Sequence, residues 1–171
     1  YGAGEAGVDL MQAFGDISYS KRNGKLAWGV ALVLAGQAFK GNGFAAFTPY
    51  TQTFAASGGT AMPDSLTNNS RDYSYGAGFK AGFIWDASER INVALSYQSQ
   101  IEMSEFDDYS DLFAQGGGFD VPASVRAGIS FNLSPTAIFH YDIEHTQFNE
   151  IDSVGNPLSN LFSCPTAGAG G

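Results

Sequence analysis

The chain has 171 residues, enough for one domain of ordinary size, and at 44% apolar and 15% charged it is neither a disordered polymer nor unusually hydrophobic. Its net charge of −9, from 17 acidic and 8 basic residues, argues against nucleic acid as a partner, because a phosphate backbone needs a basic face. The longest apolar run, Leu26 to Gly36, stops at 11 residues, short of the roughly 18 a membrane helix requires, so any membrane crossing has to be made by strands.

Within those bounds, 22 glycines, 14 Phe, 8 Tyr and 2 Trp favour closely packed strands and aromatic belts. Six strands are predicted. The first covers 8–19, where Val8, Leu10 and Phe14 compete with Met11, Ile17 and Tyr19 for the apolar side. Lys21-Arg22-Asn23-Gly24 signals a hairpin into the second, 26–39, whose Leu26, Trp28, Val30, Leu32 and Leu34 share one face. After a long segment, 40–72, the third strand, 73–85, alternates Tyr73, Tyr75, Phe79, Phe83 and Trp85 with a face that is nearly free of side chains except Lys80. A short turn leads to the fourth, 91–103, where odd positions, mostly large and apolar, alternate with polar or small even ones. A second long segment, 104–122, precedes the fifth strand, 125–133, and Ser134-Pro135 turns it into the sixth, 136–148. A third long loop is expected over 149–171; it holds Cys164, either an unpaired thiol or half of a bridge to a cysteine outside the chain.

Short turns therefore alternate with long loops. Nine residues at about 3.3 Å, tilted about 40°, span roughly 23 Å, close to the apolar band of an outer-membrane barrel. Trp28, Trp85 and Leu133 fall beside the short turns and Tyr73, Tyr75 and Tyr97 toward the long loops, as two girdles. The expected fold is all-β, an antiparallel up-and-down transmembrane barrel. A soluble sandwich or lipocalin-like barrel also alternates, but its outward polar face usually carries more Lys and Glu than the Gly, Ser, Asn and Gln found here.

His140, Asp142 and Glu144 lie at i, i+2 and i+4, but on a strand such residues are about 7 Å apart, too far to share one ion without help. They are expected to line a wet lumen with Lys80 and Arg126. No P-loop, Cys-His spacing or Ser-His-Asp order is present, so neither catalysis nor a cofactor is expected.

The long loops are greasy. Phe106, Tyr109 and Phe113 stand at helical spacing with acidic residues before them and Gly116 after, which predicts a short amphipathic helix. Together with Leu112 they form the candidate hydrophobic capture groove, with Phe44, Phe47 and Phe54 of the earlier loop opposite. The alternative is that these side chains pack the loops on one another and plug the mouth.

Gly7-Val8-Asp9-Leu10-Met11-Gln12, Ser96-Tyr97-Gln98-Ser99, Met103-Ser104-Glu105-Phe106-Asp107-Asp108-Tyr109 with Leu112-Phe113-Ala114, Gly118-Phe119-Asp120-Val121-Pro122-Ala123 and Ser153-Val154-Gly155-Asn156-Pro157 follow one another along the chain. In these blocks the chain resembles the FadL/TodX-like outer-membrane transporters of long-chain fatty acids and aromatic hydrocarbons. The resemblance implies a fourteen-strand barrel plugged by an N-terminal hatch, of which these six would be the fourth to ninth. It also implies a Gram-negative outer-membrane location among membrane lipids and lipopolysaccharide, passive uptake of hydrophobic small molecules, and a monomeric full-length protein. The two complete long loops would be the third and fourth extracellular loops, where substrate is first captured. Beginning at Tyr1 and ending in Ala-Gly-Ala-Gly-Gly, the chain is expected to be an internal piece of a longer protein. A structural or adhesive barrel without transport, or a soluble lipid-binding barrel, are the competing functions.

Overall fold

Asn23 and Leu26 face each other across a two-residue turn in which Gly24 has a φ of 57°, a left-handed conformation that glycine adopts without a Cβ penalty. The turn joins β1 (Gly7–Asn23) to β2 (Leu26–Asn42). The remaining strands are β3 (Asp72–Asp86), β4 (Ile91–Gln98), the short β5 (Glu102–Met103), β6 (Ser124–Ser134) and β7 (Ala137–Thr146). They form one antiparallel sheet in the order β1-β2-β3-β4-β6-β7, with β5 also paired to β3. This computed structural model describes residues 6–157 and 159. Cys164 and most of the last expected loop lie outside them.

The sheet curls into a half-barrel that is open between β1 and β7. Its register decides the faces. Tyr19, Val30, Ala81, Tyr97 and Val125 stand side by side on one face, and Lys21, Trp28, Phe83, Leu95 and Ala127 form the adjacent row. This outer face keeps Ile17, Val30, Leu32, Leu34, Phe79, Trp85 and Tyr141 exposed. The competition in the first strand is resolved: Met11, Ile17 and Tyr19 point outward, whereas Val8, Leu10 and Phe14 pair with the inner positions Gly41, Phe39 and Ala35. No helix among the described residues is long and apolar enough to cross a membrane.

The inner face holds Asp16, Ala31, Val33, Lys80, Gln98, Arg126 and Glu144. Neighbouring strands are about 4.8 Å apart, so a side chain of β1 reaches β3 only by leaning over β2. It does so where β2 is small. Lys80 and Asp16 meet at 3.0 Å across the strand that carries Ala31, and Arg22 and Asp86 meet at 2.6 Å beside Ala27.

The fourth strand departs from expectation. Continuous pairing with β3 ends at Lys80↔Gln98 and resumes at Ala77↔Glu102, so this side spends one residue more than β3 does. The extra residue is a bulge, and it exchanges the two faces. Ile91, Val93, Leu95 and Tyr97 point outward, but Ile101 and Met103 point inward and are buried against Val33, Ala35 and Val121. A single wall strand over 91–103 is thus corrected to β4 plus an inward step. The step needs the bare face of β3: a Cβ on Gly78 would sit 2.8 Å from Ile101 Cγ1, and one on Gly76 would collide with Glu102 and Met103.

Gly78→Val in the full-length protein is therefore expected to cost about 1–3 kcal/mol of stability by overpacking. Adding Ile101→Ala should recover part of that loss. Urea unfolding of the two variants against the parent checks both outcomes.

Candidate functional site

Two loop segments, 43–71 and 104–123, close over the inward step and are tied to each other by their polar side chains. Thr53 Oγ1 donates to Asp111 Oδ2 at 2.9 Å, Asn69 Nδ2 to the carbonyl of Asp108 at 2.6 Å, and Ser70 Oγ to Asp108 Oδ2 at 3.2 Å. In the first segment a 3-10 turn (Ala45–Tyr50) leads into α1 (Gln52–Ala56), capped by the Thr51 hydroxyl, which accepts from the Phe54 N–H. Arg71 ends that segment by donating to Asp9 of β1. This hydrogen bond holds the guanidinium pKa above its ordinary value.

Tyr109 joins the pieces. Its ring is fully buried against Phe39 of β2, 4.7 Å between centroids and nearly perpendicular. Its hydroxyl accepts from the Gly41 N–H and donates toward the carbonyls of Asn69 and Ser70, each at 3.1 Å. One phenol thus satisfies a strand end and both loops.

Around it the structure gathers Phe106, Leu112 and Phe113, as the spacing suggests, together with Phe39 and Phe119. Phe113 stands 4.8 Å from Phe39 and 5.2 Å from Phe119. Phe106 and Tyr109 have no exposed surface, while Leu112 and Phe113 are half-buried. The expected amphipathic helix is corrected to two 3-10 turns, Asp107–Tyr109 and Ala114–Gly116, because Phe106 and Phe113 take extended backbone, with ψ of 91° and 154°, that interrupts a right-handed helix at both aromatic positions. Phe44 and Phe47 form their own ring pair at 6.3 Å; Phe47 is exposed, and Phe44 and Phe54 are half-buried.

Below the loops the inner face carries a groove of about 560 Å³, lined by Ala27, Gly29, Ala31, Gly82, Ala94 and Gly128, with Lys80, Arg126 and Asp142 beside them. Gly29, Gly82, Ser96 and Arg126 lie in one cross-strand row, so two side chains are missing where the floor is deepest. Arg126 is neutralised by Glu144 at 2.6 Å and Lys80 by Asp16. A second cavity, about 390 Å³, lies between Leu10 and Gln12 of β1 and Phe119, Val121, Pro122 and Phe148. Among the described residues no group of His, Cys, Asp and Glu is placed to hold a metal, and Glu144 is occupied by Arg126.

Sequence reasoning missed Gln37. It is buried on the inner face of β2, between the Val33/Ala35 and Phe39 clusters, and neither amide atom finds a hydrogen-bond partner. The groove floor was more legible, because small residues recur at alternate positions of β2 and β3, but its continuity across strands needs the register.

Comparison with solved structures gives the fold a context. The toluene transporter TbuX of Ralstonia pickettii superposes with a TM-score of 0.61 at 12% identity, covering 85% of this chain and 43% of that one. The toluene transporter TodX of Pseudomonas putida gives 0.58 at 11%, over 85% and 43%. The monoaromatic hydrocarbon channel CymD gives 0.56 at 15%, over 84% and 46%. The fold is that of the hydrocarbon-transporter barrels. These neighbours are members of the same FadL/TodX-like family that the sequence blocks resemble. The chain spans less than half the length of each of them. No family model matches the chain, and comparison with curated proteins by sequence finds no match.

Tyr109→Phe should leave the Gly41 N–H buried without an acceptor, at a cost of about 1–3 kcal/mol. In the full-length protein, hydrogen exchange at Gly41 and in segments 64–71 and 104–113 is expected to accelerate while the β2–β3 ladder keeps its protection.

Proposed function

We propose that the chain is part of an outer-membrane wall that takes up hydrophobic compounds passively, without covalent chemistry. Long-chain fatty acids and aromatic hydrocarbons are the substrate classes. The observation that carries this reading is the inner groove: about 560 Å³ over a floor of glycine and alanine, its Lys80 and Arg126 cations already paired, beneath loops whose interior is aromatic. A smooth apolar floor holds a hydrocarbon by removing it from water, worth about 0.8 kcal/mol per CH₂, and offers no strong polar contact to retain it. The outward apolar face supports a lipid-embedded wall, since a soluble barrel would turn that face inward.

In this reading the half-buried and exposed side chains Phe44, Phe47, Phe54, Leu112 and Phe113 meet the ligand first. Phe106 and Tyr109 form the rigid base beneath them, and capture by all seven is one unit. The hydrocarbon transport named for TbuX, TodX and CymD supports the same direction.

Full-length protein carrying Ala94→Trp, which fills the groove floor, is expected to take up toluene or oleate at least severalfold more slowly while still folding into membranes. Uptake by Ala94→Trp at the parent rate would exclude the groove as the path. Separately, Phe106, Tyr109 and Phe113 changed together to Ser should reduce uptake at low substrate concentration; an unchanged rate would remove the loop cluster from the capture step.

A further inference from the structure

The outer face has a depression of its own, distinct from the inner groove. It is about 660 Å³ and almost wholly apolar, with Ala81 at its centre and Trp28, Val30, Phe83, Leu95 and Tyr97 around it. Ala81 is the cause: its neighbours in the row, Val30 and Tyr97, are much larger, so the wall dips by most of a side chain at β3. One end of the depression, at Leu26 and Trp28, opens on the short-turn rim.

That rim is basic. Lys21 faces Trp28 across β1 and β2 and shares the outer side with Tyr19, whose ring meets Trp28 edge-on at 5.9 Å. Lys25 sits in the turn, and the Asp86 N–H donates to its carbonyl at 2.8 Å, which places this turn against the hairpin that carries Arg90. Asp86 is itself engaged by Arg22 at 2.6 Å. Among the described residues Lys21, Lys25 and Arg90 make no ion pair, and all three are exposed. The opposite end is acidic: between 102 and 120 stand Glu102, Glu105, Asp107, Asp108, Asp111 and Asp120 with no Lys or Arg.

We propose that this depression and rim bind one anionic glycerophospholipid of the short-turn leaflet, an acyl chain lying over Ala81 and the headgroup phosphate held by Lys21, Lys25 and Arg90. The inference rests on the lipid-facing wall of the preceding section. A lysine has a long apolar stem, which lets Lys21, paired with Trp28, and Lys25 in the turn carry their ammonium groups to the headgroup plane. Charge decides both the ligand and the leaflet, because the acidic long-loop end repels the same headgroup.

The test uses full-length protein inserted in bilayers of equal parts phosphatidylglycerol and phosphatidylcholine with identical acyl chains, extracted gently and weighed by native mass spectrometry. Phosphatidylglycerol adducts should exceed phosphatidylcholine adducts by about fivefold or more, on the order of the attraction of one basic residue near the surface. Lys21→Gln with Lys25→Gln and Arg90→Gln should abolish the preference, and Ala81→Phe should lower retention of both lipids. Flotation with liposomes reports insertion independently. Failure of the parent to insert overturns the wall reading and this inference together. Insertion with equal retention of the two lipids overturns this inference alone, and so does a preference that survives the triple substitution. If the triple variant does not insert, competition of the two lipids on the parent at rising salt decides: a salt-insensitive ratio overturns the proposal.

Discussion

The antiparallel ladder imposes a period of two on every side chain, and the whole molecule follows from where that period holds and where it breaks. Along β2 it holds for the full strand, with β1 as partner throughout and β3 on the other side from Leu26 to Phe39. Leu26, Trp28, Val30, Leu32 and Leu34 are thereby sent outward and Ala27, Gly29 and Ala31 inward, with Val33 and Phe39 turned into the interior clusters, and the backbone N–H groups of the ladder are paired. That separation is what allows one thin sheet to face hydrocarbon on one side and a lumen on the other.

The break after Gln98 has the opposite effect, and it is local. One extra residue turns Ile101 and Met103 from wall to interior, and burying each side chain contributes roughly 1.5–3 kcal/mol. The isolated bridge between Ile101 and Val121 then draws the second loop inward as well. The aromatic cluster on Phe39 rests on this shelf. Loop structure in the molecule is therefore continuous with wall structure, and the transition occurs inside what reads as one strand.

Polar groups on the inner side are arranged to leave little free charge. Lys80, Arg22 and Arg126 each meet a carboxylate from a neighbouring or next-but-one strand. Exposed pairs of this kind add little stability. Their consequence is electrostatic: a groove whose cations are paired suits a neutral hydrocarbon better than a free anion. Among the described residues the cations without an ion pair are Lys21, Lys25 and Arg90 at the short-turn rim and Lys40 at the long-loop end of β2. Gln37 is the exception inside, a buried amide without partners between two apolar clusters.

The alternation of Leu26, Trp28, Val30, Leu32 and Leu34, and of the aromatic residues of 73–85, determined by itself that the chain forms long amphipathic strands, because side-chain direction on a strand depends on sequence parity alone. The alternating short turns and long loops determined the antiparallel order in the same way. Which face of 8–19 is lipid-facing was not determined locally, since both parities there are apolar, and only pairing with β2 decided it. The inward turn of Ile101 and Met103 is decided by Gly76 and Gly78, residues far away in sequence whose missing side chains make the space. Ser99 at an apolar position was the single local sign of it. The aromatic spacing at Phe106, Tyr109 and Phe113 was legible as one cluster, but burial of the first two depends on Phe39, Gly41, Asn69 and Ser70. A pattern within one segment fixes periodicity; the partner that covers a face comes from elsewhere in the chain, so tertiary structure alone assigns it.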